Sequence, residues 1–165
     1  MSHPEFVIER KYDAPASAVW ECWTKPDLVQ RWYGPGVETT LHRFDPTPGG
    51  LWLTEMHVQD KSLYQRTEFT IVEAPARLDM LMSNADAEWN VIQSPMMPNW
   101  PRVLLTTVSL IPVGDCTKLE LRWAPHEASE AEHEAFEAAM PSLQEGWDAG
   151  LTAIAEIIRE DMEPG

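Results

Sequence analysis

Positive charge is what this sequence has least of. Against 27 Asp and Glu it sets 12 Lys and Arg, a formal charge of −15 over 165 residues. A field of that sign repels phosphate backbones, so general nucleic-acid binding is not expected. It also disfavours docking on anionic lipid surfaces. Cysteine is scarce as well, with only Cys22 and Cys116. They form no Cys-x-x-C or other metal spacing, which argues against a zinc site or a disulfide framework. No stretch reaches the ~20 apolar residues of a membrane span, so no membrane insertion is expected. The opening MSHPEFVIERKYD alternates apolar and polar residues and has no uninterrupted apolar core for a secretory signal. These absences lead to the expectation of a cytoplasmic protein with reduced thiols.

Signatures of chemistry are missing too. There is no nucleophile elbow, no catalytic-cysteine motif and no His-Glu-x-x-His. Gly49–Gly50 lies between two strand-like segments, which points to a turn rather than a phosphate loop. His133 and Glu137 stand four apart on a helical pattern, but acidic residues near a helix N-terminus are favoured by its dipole without any metal. No catalytic residue, metal or cofactor is expected. Cys22 reads as a small buried residue.

What is present is tryptophan, eight residues in all, within a chain that is 44% apolar. Trp suits cores and pocket walls with a polar edge nearby. The length suits one domain, taken as 1–165. EFVIERKYDAP reads as a strand with Phe6, Ile8 and Tyr12 on one face. Pro15 opens a short helix with Val19, Trp20 and Trp23 inward, and a second short helix closes at Gly34–Pro35–Gly36. A run of strands follows. In LWLTEMHV, Trp52, Thr54 and Met56 share one face and Leu51, Leu53, Glu55 and His57 the other. RVLLTTVSLIPV and TKLELRWAP pair around Gly114–Asp115, with Leu119, Leu121 and Trp123 together.

The last element is a long helix. Ser129 and Glu132 form an S-x-x-E capping box. Phe136, Met140, Leu143, Trp147, Leu151, Ile154 and Ile158 recur at steps of three or four, one apolar stripe. Pro141 is expected to kink or break it. Gly146 and Gly150 flank Trp147 and allow close approach of backbone or ligand. The predicted class is α+β, a curved antiparallel sheet gripping a long helix. Incomplete closure between the two leaves an apolar pocket.

Several motifs then resemble a known family. RKYDAPASAVWECWTKPDLVQRWYGP is similar to the opening of bacterial proteins in the activator of heat-shock-protein-90 ATPase homologue family, with its DAP and its RW-aromatic-GP. FDPTPGGLW looks like that family's Asp-x-x-x-Gly-Gly-x-Trp turn. IVEAPARL resembles its I-V-x-x-P-x-R-L hairpin, and GWDAGLTAIAEII its C-terminal Gly-Trp helix. The resemblance implies the START-like (SRPBCC) helix-grip fold, shared with the major birch pollen allergen and polyketide cyclases, and a cavity between sheet and helix. It does not imply one activity, because function lives in sites grafted on folds.

The resulting expectation is binding of an apolar or aromatic small molecule in that cavity. The expected walls are Trp52, Met56, Tyr64, Met80, Met82, Leu121 and Trp123 on strands, with Leu143, Trp147 and Leu151 on the helix. Candidate orienting groups are Tyr64, His57, Arg66 and Glu68, though the alternation turns His57 away from Trp52. The proline-rich SPMMPNWP is uncharged and apolar where loops are usually polar. Met96, Met97 and Trp100 are expected to cap the cavity or to join two copies in a homodimer. Alternative readings are a co-chaperone-like domain that binds a chaperone, and a cyclase- or hydrolase-like enzyme using cavity polar groups.

Overall fold

The computed structural model describes residues 5–33, 38–94 and 97–162. β1 (Phe6–Tyr12) leads into α1 (Ala16–Thr24) and α2 (Pro26–Trp32), then β2 (Glu38–Phe44), β3 (Leu51–Val58), β4 (Lys61–Glu73) and β5 (Arg77–Ala85). A two-residue β6 (Val91–Ile92), β7 (Val103–Val113), β8 (Cys116–Pro125) and α3 (Glu130–Met162) complete the order. All pairings are antiparallel, in the spatial order β1-β8-β7-β5-β4-β3-β2, with β6 pairing β5. This is the α+β helix-grip arrangement expected from the sequence. Among the described residues no helix is long and apolar enough to cross a membrane.

The register decides which residues can meet the helix. Phe6, Ile8 and Tyr12 lie opposite Trp123, Leu121 and Thr117, and Trp123 and Leu121 lie opposite Thr106 and Val108. Thr106 and Leu104 then face Met80 and Met82, which face Phe69 and Thr67. Thr67 faces Trp52, and Gln65 faces Thr54. Side chains alternate across a strand, so this row is one face of the sheet. It carries the fully buried Phe69, Leu78, Met80, Leu119 and Leu121. The opposite face carries Glu9, Lys11, Glu120 and Arg122. β-Bulges between Leu41 and Arg43 and between Phe69 and Ile71 shift the alternation once on β2 and once on β4.

The turn before β3 shows why glycine is needed there. Gly49 has φ +85°, a left-handed conformation. A Cβ on Gly50 would come within 2.0 Å of the Asp45 carbonyl oxygen. The first glycine supplies a backbone angle, the second supplies room.

α1 buries Val19, Cys22 and Trp23, so Cys22 is the small core residue expected, while Trp20 is only partly buried. α3 starts on the predicted capping box: Ser129 N–H donates to Glu132 Oε1 at 3.0 Å and Glu132 N–H to Ser129 Oγ at 3.2 Å. The helix is not broken at Pro141. Proline removes the donor that Glu137's carbonyl would use, and both residues are exposed, so water can take the acceptor's place. The proline-rich segment joins no strand or helix at its described residues, Ser94 and 97–101, although the chain just before it does: β5 runs to Ala85 and β6 pairs with its end. Met96 and the Gly34–Pro35–Gly36 closure lie outside the described residues.

Candidate functional site

The inner face of α3 is sealed at its C-terminal half. Leu151, Ile154, Ile157 and Ile158 are buried against the core, and Tyr12 Oη donates to the Leu151 carbonyl at 2.9 Å. Further back the stripe loosens, and Met140, Leu143 and Trp147 are only partly buried. Among the described residues two spaces open there. The inner one, about 130 Å³, is lined by Tyr33, Gln65, Met82, Ser83, Asn84, Trp100, Pro101, Leu104, Trp123 and Trp147. The outer one is a more open groove of about 220 Å³, lined by Trp32, Tyr33, Trp123, Ser142, Leu143, Gly146, Trp147 and Gly150. The rings of Tyr33, Trp123 and Trp147 belong to both.

Aromatic contacts set the frame. Trp147 stacks on Trp23 with centroids 6.4 Å apart and meets Trp123 edge-on at 5.6 Å. Trp123 in turn meets Trp100 at 6.1 Å and Phe136 at 5.9 Å. Tyr33 packs edge-on to Trp52 at 4.8 Å. Large flat rings meeting at steep angles hold a rigid wall but leave gaps at their edges. Arg10, on the inner face of β1, pairs with Asp148 on α3 and ties the helix to the sheet beside Trp147.

The polar side of the inner cavity is a short relay. Tyr33 Oη donates to Gln65 Oε1 at 2.7 Å, and Gln65 Nε2 donates to Asn84 Oδ1 at 3.5 Å. Burial pushes the Tyr33 phenol well above its ordinary range, so it stays a neutral donor. Trp123 Nε1 and Thr106 Oγ1 are buried and have no hydrogen-bond partner among the described residues. Neither lining includes a Lys, Arg, His, Asp, Glu or Cys side chain.

The expected wall residues divide. Met82, Trp100, Trp123, Leu143 and Trp147 line these spaces. Trp52, Met80, Leu121 and Leu151 face inward but are packed solid; Trp52 Nε1 is satisfied by Thr54 Oγ1 at 2.8 Å. Met56 points inward from the far end of β3 and lines neither space. Tyr64 is a correction. It pairs with Glu55 and Ala85 on the face turned away from α3, and its ring meets Trp89 edge-on at 5.2 Å. His57, Arg66 and Glu68 share that outer face by the same alternation. Met97 is exposed, whereas Trp100 is buried in the cavity wall.

The model of the family described as activator of Hsp90 ATPase homolog 1-like protein matches residues 13–159. The chain belongs to this family. The activator of Hsp90 ATPase homolog 1-like fold also recurs in solved structures similar to this chain. A protein from Arthrobacter aurescens is 25% identical, with a TM-score of 0.78 over 94% of this chain and 86% of that one. Protein Ms6760 from Mycobacterium smegmatis is 20% identical, with a TM-score of 0.73 over 94% and 93%. A Rhodobacter sphaeroides protein is 19% identical, with a TM-score of 0.76 over 98% and 95%. No curated protein sequence matches the chain.

Within this family fold, the sequence reading missed Tyr33, Gln65 and Asn84. Gln65 had a signal. Phe69 and Thr67 face inward, and a further step of two along the strand reaches Gln65 rather than Tyr64. Asn84 follows, as its cross-strand partner. Tyr33 sits just past the end of α2, where periodicity carries no information.

Proposed function

We propose that this protein binds a small, largely apolar or aromatic molecule between the sheet and the middle of α3. The observation that carries the reading is the local failure of the apolar stripe to close. Trp147, Trp123 and Trp100 surround open space where the same stripe, one turn later, is fully buried. Ligand sites are concave, mostly apolar and carry a few placed polar groups, and Tyr33, Gln65 and Asn84 fill that last role. Trp100, with Pro101, makes the proline-rich loop one wall of the cavity. Binding of this kind needs no carboxylate, imidazole or cofactor.

The test is native mass spectrometry of gently purified protein, together with a thermal-shift screen of single-ring and two-ring aromatics. A co-purified small molecule, or a rise in Tm with apolar probes, is expected. Gly146→Phe should weaken the response to two-ring probes with little change in the unliganded Tm, because a Cβ at Gly146 meets nothing within 4 Å and the new ring fills the groove. A wild-type protein that responds to no aromatic probe would overturn the reading.

A further inference from the structure

The geometry points to a neutral ligand that carries a hydrogen-bond acceptor, such as an aryl ketone, whose oxygen is held by the indole N–H of Trp123. This rests on the binding reading above and adds the chemistry of the occupant. Three buried side-chain atoms lack a hydrogen-bond partner among the described residues: Trp23 Nε1, Thr106 Oγ1 and Trp123 Nε1. Native proteins leave few such atoms, because an unpaired buried donor keeps its full desolvation cost. These three are not scattered. Trp23 stacks on Trp147, Trp123 meets Trp147 edge-on, and Thr106 lies directly across the β7–β8 ladder from Trp123. Trp147 and Trp123 both line the inner cavity and the groove.

An indole N–H can only donate. Its complement is therefore an acceptor, and none of the described residues supplies one in reach. None of the Tyr33, Gln65 and Asn84 oxygens, which are held in their own chain of bonds, pairs with the Trp123 indole. The acceptor is not an anion. No cationic side chain lines either space, and the chain carries a formal charge of −15. A carboxylate would lose its water with no counter-charge in return. Size gives the remaining constraint. A cavity of about 130 Å³ is close to the ~150 Å³ apolar cavity known to take one benzene, and the adjoining groove has room for a further ring or chain.

Acetophenone, α-methylstyrene and benzoate form the probe set. The first two are nearly the same size, and differ in C=O against C=CH₂; the third is the charged counterpart. Affinities are measured for wild type and for Trp123→Phe, which keeps an aromatic wall and removes the N–H. The acetophenone-to-α-methylstyrene affinity ratio should fall about five- to tenfold in the variant, the worth of one net hydrogen bond. In wild-type ¹H–¹⁵N spectra the Trp123 indole N–H should move downfield with acetophenone and not with α-methylstyrene. That readout stands even if Trp123→Phe folds poorly. Benzoate should not bind detectably. If both neutral probes bind but the ratio and the indole shift are indifferent to the carbonyl, the acceptor inference falls and the binding reading survives. Benzoate binding as tightly as acetophenone overturns the neutrality. Failure of all three probes overturns both readings.

Discussion

From Leu151 to Ile158 the inner side of α3 is sealed, while from Met140 to Trp147 it stands half open, although one periodic stripe runs through both. The two halves differ in how far their neighbours close on them. Leu151, Ile154, Ile157 and Ile158 are buried members of one core that holds Val19, Cys22, Val29 and Ile8 as well as the rings of Trp23 and Trp32. Leu143 and Trp147 are only partly buried, and the groove beside them is edged by the rings of Trp32, Tyr33 and Trp123. Branched aliphatic side chains interdigitate to crystal-like density, whereas rigid rings leave edges that only another flat group can fill. Period 3.6 says which side of a helix turns inward. It does not say whether the far wall arrives, and here the difference separates structural core from candidate site.

The largest effect should come from truncating the sealed half. Leu151→Ala removes a fully buried side chain and should cost about 2–5 kcal/mol in urea denaturation. Trp147→Ala removes more atoms but from a half-buried position, so its loss should be smaller while its effect on aromatic-probe affinity is larger. Equal stability losses in the two variants would erase the distinction between the halves. The proline-rich loop offers a second contrast. Trp100→Ser should lower both stability and probe affinity, because its ring seats between Trp123 and Phe136. Met97→Ser, on an exposed side chain, should stay within about 0.5 kcal/mol of wild type.

These contrasts also mark what the sequence made legible. The faces of β1 and β8, the capping box and the α3 stripe followed from alternation and spacing, because each has one wet side; the face of β3 followed from alternation alone, since Leu53 is buried on its other side. β4 did not. It carries apolar residues on both faces, Leu63 and Phe69 inward and Tyr64 and Ile71 outward, and the bulge after Phe69 breaks the alternation. Trp89, at φ +67°, covers Tyr64 and His42 from outside, so an apolar ring on the solvent side was no sign of the cavity. Trp100 stood out as an apolar residue in a loop that cannot be a strand. Its neighbour Met97 has the same composition signal and no burial, which only packing distinguishes.

Gly146 and Gly150 bring the comparison to a single turn of helix. Both should gain from alanine by propensity alone, about 1 kcal/mol for a helix-interior glycine. A Cβ at Gly146 enters open space, so Gly146→Ala should realise that gain in thermal denaturation. At Gly150 the new carbon would lie 3.4 Å from Trp32 Cε3, at the near edge of ordinary contact. Gly150→Ala should therefore gain less, or nothing. The boundary between open groove and closed core would be misplaced if the two gains were equal.

The smallest effect should be a pH dependence confined to the open half. Glu132 accepts from Ser129 N–H at the start of α3 and from Arg102 N–H, two residues beyond Trp100. These bonds, Ser129's the larger, hold its carboxyl below the ordinary value of 4.5. The sign follows from linkage: a depressed carboxylate contributes stability that is full above its unfolded pKa and is lost as pH falls through the folded one. Acidification below about pH 4.5 should therefore loosen the loop that carries Trp100 before it disturbs Leu151 to Ile158. Hydrogen exchange compared between wild type and Glu132→Gln isolates this carboxyl from the other acidic groups. The amides of Arg102 and Ser129 should lose protection with acid in wild type and show little of that dependence in the variant. Amides of the last turns of α3 should not distinguish the two proteins, and a difference there would mean that the halves of the helix open together.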